Sequence, residues 1–500
     1  MRNQNRTRKF RRPLFIERLE DRALLSGNIT ATSNNGVLSI LGDTGNNDVE
    51  ISQSGPAIVV ASMTSTINGQ SNPVSFTNVN SIQVQFLDGV DSVSINGIHI
   101  PGALSVTEGT GPDTLMVVNS TFQQLDSTIG REFNPAVTAP KFDVNSTVSN
   151  DVITGDHVNL SILNGSGVSG RSLIGLPVSG LGSLINVAMS GLTFSGGGKL
   201  NVRADDGIPY FNPATHMLTP ASSALLNFIR TTGSTRVVLG DHFQNVQSDF
   251  GQLGSLALSV GNDADVVDVS ENVIQGSETV IVGNDAPYPT SLLPPPFVTV
   301  NGQVGVGPSG GDLHVQVGSN INPTVPMWDV QVVSSPNEGP NAPGAMIIHG
   351  SLQIMAGNGD AVTVDPTSDD GPLDIAMGDG GINSLESLTM LDVDSNDPYI
   401  TFNSKRGDTV NINLTNVRVH DANAYFFMRD FGHGTDVVNL SNVQVAGLFT
   451  VLLSDSGDNV VTAQNVHVLR GYIFGGGRFG NRYINLGGNS GYSVIGFIPG

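Results

Sequence analysis

The chain has 500 residues, a formal net charge of −22, 61 glycines and no cysteine, and only 13% of its residues are charged. The absence of cysteine excludes disulfides and thiolate metal sites, and a surface of this sign repels the phosphates of nucleic acids. No run of apolar residues approaches the length of a membrane span, so no transmembrane segment is predicted.

The N-terminus differs in charge from the rest of the chain. The first 22 residues hold eight basic and three acidic side chains, and the remainder holds 14 basic and 41 acidic ones, a net charge of about −27. Only Ala23-Leu24-Leu25 forms a continuous apolar run here. A standard secretory signal needs an apolar run of roughly 7–15 residues, so this leader is not of that type.

Residues 15–27 contain a specific string, in which Ile16-Glu17 precedes Leu19-Glu20, Arg22 and Leu24-Leu25-Ser26. This string resembles the N-terminal motif of the planctomycete extracellular protein family. The resemblance implies a bacterial protein that is exported to the exterior or to the cell surface. It implies no activity, because the motif heads many unrelated proteins. We therefore expect residues 1–26 to be a disordered segment that carries the export address.

A short pattern recurs along the body of the chain: an Asp, several alternating β-formers, then Asn-Val and a further apolar residue. Its clearest copies end at Asn416-Val417, Asn442-Val443 and Asn465-Val466, so the asparagines are 26 and 23 positions apart. A period of this length, built from short strands and Gly, Asn and Asp corners, is typical of a β-solenoid. Looser copies run from Asp91 to Ile100, Asp113 to Phe122, and Asp265 to Ile274.

The pattern predicts an all-β fold, a right-handed parallel β-helix (β-solenoid) with coils of about 22–28 residues. Tandem β-sandwich modules are the alternative. Within a coil, Val410, Ile412 and Leu414 alternate with polar residues and should point inward. Asn tolerates the left-handed backbone of a sharp corner, so the three repeated asparagines should stack in one corner. The asparagines that precede Val elsewhere should occupy such corners too: Asn78, Asn186, Asn245 and Asn272.

The chain divides into solenoid segments at residues 27–202 and 233–500, separated by an insertion at 203–232. Within the insertion, residues from about Pro220 to Arg230 are predicted to be helical. Pro-rich and turn-rich stretches predict loop insertions near residues 284–297 and 334–345.

Acidic turns provide the candidate metal residues. Gly- and Asn-rich turns carry single aspartates, which suggests weak calcium binding at the surface. Calcium-roll proteins need such a turn every nine residues, whereas here one copy occurs per coil, so a role as turn formers is favoured over a metal role. The candidate ligands are Asp48, Asp113, Asp263, Asp360 and Asp436, and no other cofactor is expected.

Polysaccharide cleavage is the main alternative activity. Asp369-Asp370-Gly371 and Gly432-His433-Gly434 resemble motifs of polygalacturonase-type hydrolases. The Arg-x-Lys that accompanies those motifs is missing, since no Lys follows Lys405. Lys199 likewise has no acidic cluster with Arg beside it in the sequence.

The sequence therefore predicts a secreted or cell-surface structural or adhesive protein without catalysis. Its partner would be a polysaccharide or a protein of the cell surface or matrix, and not a nucleic acid. A polysaccharide lyase or hydrolase and a calcium-binding surface repeat protein are the alternatives.

Overall fold

The protein forms a β-solenoid in which each coil contributes strands to two long sheets and one short sheet. Most strands pair in parallel with the equivalent strand of the next coil. The structure, a computed structural model, describes residues 27–131, 142–155, 157–164, 184–195, 197–204, 210–212, 217–219, 222–241, 244–262, 266–284, 297–318, 329–334, 346–357, 360–365, 368–369, 373–377, 385–395, 399–404, 409–430, 434–454, 458–476 and 480–499. The export motif at residues 1–26 lies outside these ranges, as does most of each loop insertion predicted near 284–297 and 334–345.

The first long sheet, sheet A, is a continuous parallel ladder along the whole described chain. Its strands are Val37–Leu41, Ser81–Gln85, Ala103–Thr110, Gln124–Arg131, His157–Asn164, Lys199–Ala204, Ser234–Leu239, Ser255–Val260, Glu278–Val282, Leu313–Val317, Leu352–Ala356, Leu373–Met377, Tyr399–Ser404, Tyr425–Asp430, Gln444–Leu452, His467–Phe474 and Ser490–Ile495.

The second long sheet, sheet B, follows sheet A in every coil and is also parallel from end to end. Its strands are Asp48–Ser54, Ser92–Asn96, Asp113–Val118, Phe142–Ser149, Leu184–Ser190, Ser222–Asn227, Gln244–Asp249, Val266–Ile274, Phe297–Val304, Asp329–Val333, Ala361–Asp365, Leu385–Leu391, Thr409–Thr415, Val437–Ser441, Val460–Gln464, Arg482–Asn485 and Ile498–Pro499.

The short sheet, sheet C, joins the end of sheet B to the start of sheet A in the next coil. It consists of two-residue strands and of the ends of longer strands from the other sheets. The two-residue strands are Thr121–Phe122, Val152–Ile153, Thr193–Phe194, Gln252–Leu253, Ile347–Ile348, Ser368–Asp369, Asp394–Ser395 and Arg418–Val419.

Antiparallel pairs close the N-terminal end of the stack. Asn28–Asn34 forms a hairpin with the first strand of sheet A, and Ala57–Ala61 forms one with the first strand of sheet B. The strands Val74–Thr77 and Thr66–Ile67 pair with these two cap strands. The polar hairpin edges thus cover the first coil, which limits edge-to-edge pairing there.

One narrow apolar core runs through the stack. Alternate residues of each strand are buried, as period-2 patterning requires; Val410, Ile412 and Leu414 are all at most 2% exposed, as predicted. Burial of one such side chain contributes roughly 1.5–3 kcal/mol. A single coil cannot cover its own apolar face, so stability depends on stacking.

The predicted helix from Pro220 to Arg230 is wrong. Residues Ser222–Asn227 form a strand of sheet B that pairs with Leu184–Ser190 on one side and Gln244–Asp249 on the other. Ala224 and Leu226 point into the core, so the neighbouring coils override local helix propensity. The solenoid is therefore continuous across residues 203–232, and the described excursion is a small antiparallel hairpin, Tyr210–Asn212 with Met217–Thr219.

The predicted asparagine corner is confirmed. Asn416, Asn442 and Asn465 have φ of 57°, 55° and 54°. The amide Nδ2 of each later asparagine donates to Oδ1 of the preceding one at 3.0 Å. Asn416 Nδ2 donates in turn to Asp392 Oδ1 at 2.7 Å. We call this row, from Asp392 to Asn465, the asparagine ladder.

The extension of this corner to other Asn-Val pairs is mostly wrong. Asn186 and Asn245 lie within strands of sheet B, and Asn272 is buried inside the strand Val266–Ile274. Only Asn78 has a left-handed backbone, with φ of 58°. The dipeptide alone therefore does not define the corner, because Asn before Val also suits the start of a strand.

Candidate functional site

A depression lies on sheet A, across the strands Gln124–Arg131, His157–Asn164, Lys199–Ala204 and Ser234–Leu239. Its volume is about 710 Å³. We call it the sheet A groove. The chain leaves the first three of these strands into the connections 132–141, 165–183 and 205–221, which are longer than the connections in most coils.

A row of hydrogen-bonded side chains crosses the groove along the stack. Asp126, Asn159, Asn201 and Arg236 occupy the same register in four successive strands. Asn159 Nδ2 donates to Asp126 Oδ1 at 2.8 Å, and Asn201 Nδ2 donates to Asn159 Oδ1 at 2.8 Å. Each Asn side chain directs its Nδ2 toward the preceding strand and its Oδ1 toward the next strand. The exposed Arg236, on the strand after Asn201, therefore lies on the Oδ1 side of Asn201.

Asp126 is the acidic end of this row. His157 Nε2 lies 3.1 Å from Asp126 Oδ1, and Gln124 Nε2 donates to Asp126 Oδ2 at 3.1 Å. Partial burial works to raise the pKa of Asp126, but the hydrogen bonds from Asn159 and His157 outweigh it and lower the pKa below its usual value. The Asp126 carboxylate is thus ionised and already has partners.

The opposite end of the groove is basic. Arg203 and Arg236 line it from adjacent strands, and Lys199 lies beside the lining, at the start of the strand that carries Arg203. All three side chains are exposed. Arg236 makes no ion pair or hydrogen bond within the part of the chain that the structure describes. Three cations in two adjacent strands form a local positive patch on a strongly acidic protein.

The sequence reasoning missed this cluster. It treated Lys199 as isolated, whereas the fold places it in line with His157 and one strand away from Arg236. The available signal was the period-2 spacing of Lys199, Asn201 and Arg203, which puts all three on the outer face of one strand. Asp126 and Asn159 are 33 positions apart in the sequence, and Asn159 and Asn201 are 42 positions apart. Because these spacings differ, no fixed repeat length indicated that the residues are neighbours.

The predicted calcium ligands lie elsewhere, at the corner where the chain passes from sheet A to sheet B. Asp113, Asp360 and Asp436 share one register there and are at most 1% exposed, so they are not surface residues. Asp48 follows this register by one residue, is half-buried, and accepts a hydrogen bond from Met63 N at 3.0 Å. Asp263 lies outside the described residues. Calcium binding stays a prediction.

At the N-terminal end, this corner contains a stack of buried acidic and amide side chains. Asn47 N donates to Asp91 Oδ1 at 2.8 Å, and Asp91 N donates to Asp113 Oδ1 at 3.0 Å. Desolvation raises the pKa of Asp113 to about 8 and that of Asp91 above its usual value. Desolvation and the charges of these aspartates raise the pKa of buried Glu108 well above the normal range. Asp113 therefore holds a proton near neutral pH.

The same corner near the C-terminal end is built mainly from amides. Asp436 N donates to Asn459 Oδ1 at 2.9 Å, and Asn459 N donates to Asn481 Oδ1 at 3.0 Å. The side chain of each residue therefore accepts from the backbone of the preceding coil, as at the N-terminal end. Burial, together with the neighbouring Asp430, raises the pKa of Asp436. This position needs a side-chain acceptor, and both Asp and Asn supply one.

The hydrolase-like motifs are not brought together in the described residues. Asp369 ends a two-residue strand of sheet C, on a different face from the sheet A groove. Asp370 and His433 lie outside the described residues. Among the described residues, no group of three or more His, Asp or Glu side chains has an arrangement that could hold a metal ion. No helix in the described part of the chain is long and apolar enough to cross a membrane.

In comparisons with known proteins, no protein-family model, no curated protein and no solved structure matches this chain. The features of this chain that bear on its function are the sheet A groove, the solenoid and the N-terminal string.

Proposed function

We propose that this protein is a secreted or cell-surface bacterial protein whose solenoid serves as a structural and adhesive body, without catalysis. The observation that supports it is the unbroken parallel ladder of sheets A and B, from the N-terminal cap to the last described coil. Each coil adds about 4.8 Å, so the ladder extends over a distance on the order of 80 Å. A rod of this kind holds a surface patch at a fixed distance from its ends.

The location is supported by the resemblance of residues 15–27 to the planctomycete extracellular motif, and the acidic body suits an exposed, soluble surface. The test is export from the native host. A chain lacking residues 1–26 should fold but stay inside the cell, and so should the full chain with Leu24→Asp and Leu25→Asp. The control is Arg2→Gln, which lies outside the motif and should be exported normally. Export of the truncated chain would contradict the proposal.

Polysaccharide cleavage is the rival function, and one observation favours it: His157 hydrogen-bonds to Asp126, which lines the sheet A groove together with Arg203 and Arg236. The non-catalytic proposal predicts that incubation with acidic and neutral polysaccharides releases neither reducing nor unsaturated ends. Turnover that is lost in His157→Gln and Asp126→Asn but retained in His467→Gln would establish the rival. His467 is a suitable control, since it lies at the sheet C end of the strand His467–Phe474, far from the groove, and its Nδ1 hydrogen-bonds with Ser490 Oγ at 2.9 Å.

A further inference from the structure

We propose that the sheet A groove binds a carboxylated polysaccharide, an extended chain of acidic sugars that crosses the strands along the stack. This inference depends on the proposed adhesive role and gives it a ligand class.

The charge of the groove opposes that of the protein. The body beyond residue 22 has only 14 basic side chains, yet Lys199, Arg203 and Arg236 lie within two adjacent strands of one face. Among the described residues that line the groove, the one acidic side chain is that of Asp126, and His157, Asn159 and Gln124 already engage it. Arg236, which makes no ion pair among the described residues, is left to attract an anion, and guanidinium groups bind carboxylates through paired N–H donors.

The hydrogen-bonding groups of the groove suit a ligand rich in hydroxyls. The outer positions of its strands carry Thr128, Ser161, Asn159 and Asn201. Neighbouring strands are about 4.8 Å apart, so a ligand that lies along the stack meets a new polar row at each step. Sugar units are of similar length, and each offers several hydroxyls. A polymer can therefore bind several rows at once, which multiplies weak contacts.

The lining also argues against other classes of ligand. No aromatic side chain is among the described residues that line the groove, so it offers no platform for stacking nucleic acid bases. An acidic peptide would satisfy the three cations but would leave the polar rows near Asp126 without hydroxyl partners.

The experiment measures binding of the full chain to polygalacturonate, with dextran as a neutral glycan, by isothermal titration calorimetry at two salt concentrations. Single-stranded DNA and polyglutamate represent the other polyanions. We expect binding to polygalacturonate only, weakened by salt. Arg203→Gln with Arg236→Gln should weaken it at least tenfold. Arg418→Gln with Arg470→Gln removes the same charge from other positions and should change affinity less than twofold.

Asn201→Asp provides a second, nearly isosteric variant. It places a negative charge between Asn159 and Arg236 without changing the outward position, so the fold is retained while polygalacturonate binding is lost. Unchanged binding in both groove variants, an equal loss in the control pair, equal affinity for dextran, or tighter binding to DNA or polyglutamate would each overturn the inference. Export is scored separately, so an exported protein that fails to bind polygalacturonate refutes the ligand and leaves the surface role standing.

Discussion

The corner between sheets B and C is built differently in two regions of the solenoid. In the C-terminal coils it is the asparagine ladder, with a hydrogen bond between each pair of neighbours. In the middle coils the equivalent residues are Phe228, Phe250 and Glu271, with φ of 55°, 54° and 54°. The two phenylalanine rings stack with centroids 5.2 Å apart and remain about half exposed.

This difference shows that the stacked coils impose the left-handed corner, whichever residue occupies it. For a residue with a bulky side chain this backbone costs roughly 1–2 kcal/mol, and ring stacking returns part of that cost. The middle coils also bury Glu278 at a core position between Leu256 and Leu313. The C-terminal coils thus agree with local preferences, whereas the middle coils depend on their neighbours.

The largest effect is expected from Glu278→Leu, which should make the middle coils resemble the C-terminal ones. Desolvation raises the pKa of Glu278 to about 8. Because the folded-state pKa lies above the unfolded value, the stability associated with this group is greatest below pH 4 and is lost as the pH rises through 8. At pH 5 the substitution should stabilise the protein by about 1–3 kcal/mol, and at pH 9 by about 5 kcal/mol more, since each unit of the pKa shift is worth about 1.4 kcal/mol.

Thermal and urea unfolding between pH 4 and 9 measure this effect. Glu278→Gln is the matched variant, since it removes the charge but leaves a buried polar group. It should remove the part of the pH dependence that comes from Glu278, and should stabilise less than Leu. A wild-type stability that rises between pH 5 and 8, with no change in that slope in either variant, would contradict the burial of a protonated Glu278.

The second effect concerns the corner between sheets A and B, where the N-terminal end uses Asp113 and the C-terminal end uses Asn459 and Asn481. Asp113→Asn keeps the Oδ1 acceptor for Asp91 N. Since the pKa of Asp113 is raised to about 8, ionisation destabilises the fold as the pH rises from 4 through 8. The variant should therefore be more stable at pH 8, by about 2 kcal/mol or more, and nearly unchanged at pH 4.

Asp88→Asn is the control for this prediction. Asp88 lies on the surface nearby, where the Thr110 hydroxyl and backbone amide lower its pKa, so its substitution should not stabilise the protein at pH 8. Hydrogen exchange locates the change: slower exchange in strands Ser92–Asn96 and Asp113–Val118 supports the prediction. A destabilised Asp113→Asn at pH 8 would contradict it.

A medium effect should follow from a break in the asparagine ladder at its centre. Asn442→Ala loses both the hydrogen bonds to its neighbours and the residue type that tolerates φ of 55°, and should destabilise the protein by about 2 kcal/mol. Asn442→Gly keeps the backbone conformation accessible and should cost about 1 kcal/mol. Unfolding midpoints of the two variants separate backbone strain from side-chain bonding, and equal losses would mean that the left-handed backbone carries no cost.

The smallest effect is expected at the phenylalanine pair. Phe250→Asn relieves the strain of a bulky residue with φ of 54° but loses the stack on Phe228. The relieved backbone strain and the lost ring stacking are each worth about 1 kcal/mol and are opposite in sign. The single variant should therefore change the free energy of unfolding by less than about 0.5 kcal/mol. A double-mutant cycle with Phe228→Asn should show a coupling of about 0.5–1 kcal/mol. Absence of coupling would mean that the stack contributes nothing.

The same contrast explains what the sequence could predict. The asparagine ladder was predictable because Asn416, Asn442 and Asn465 repeat one local pattern in coils of similar length. The corner at Phe228 was hidden, because Phe replaces Asn and the preceding Ala224 and Leu226 also suit a helix. Their strand conformation comes from pairing with residues some 20 or more positions away, which local propensity does not contain.

The sheet A groove was beyond prediction for a related reason. Asp126, Asn159 and Asn201 lie side by side only because connections of unequal length separate strands of identical register. The buried corner between sheets A and B was predictable in part. The turns that follow the strands of sheet A were recognised, but Asp113 and Asp436 were expected at the surface. Turn residues in a solenoid can point inward, because the preceding coil supplies the backbone donor that an inward carboxyl needs.

Asn442 and Asn465 occupy equivalent positions in successive coils, so the rod can be shortened by one coil. The segment 442–464 begins and ends at the same point of the cross-section, so its removal joins Ser441 to Asn465 with every strand still in phase. The strand Val437–Ser441 would then pair with Arg482–Asn485 in place of Val460–Gln464. Such a deletion shortens the rod by one increment of about 4.8 Å and leaves the sheet A groove untouched. The length of the rod and the lining of the groove are thus separately adjustable properties of this chain.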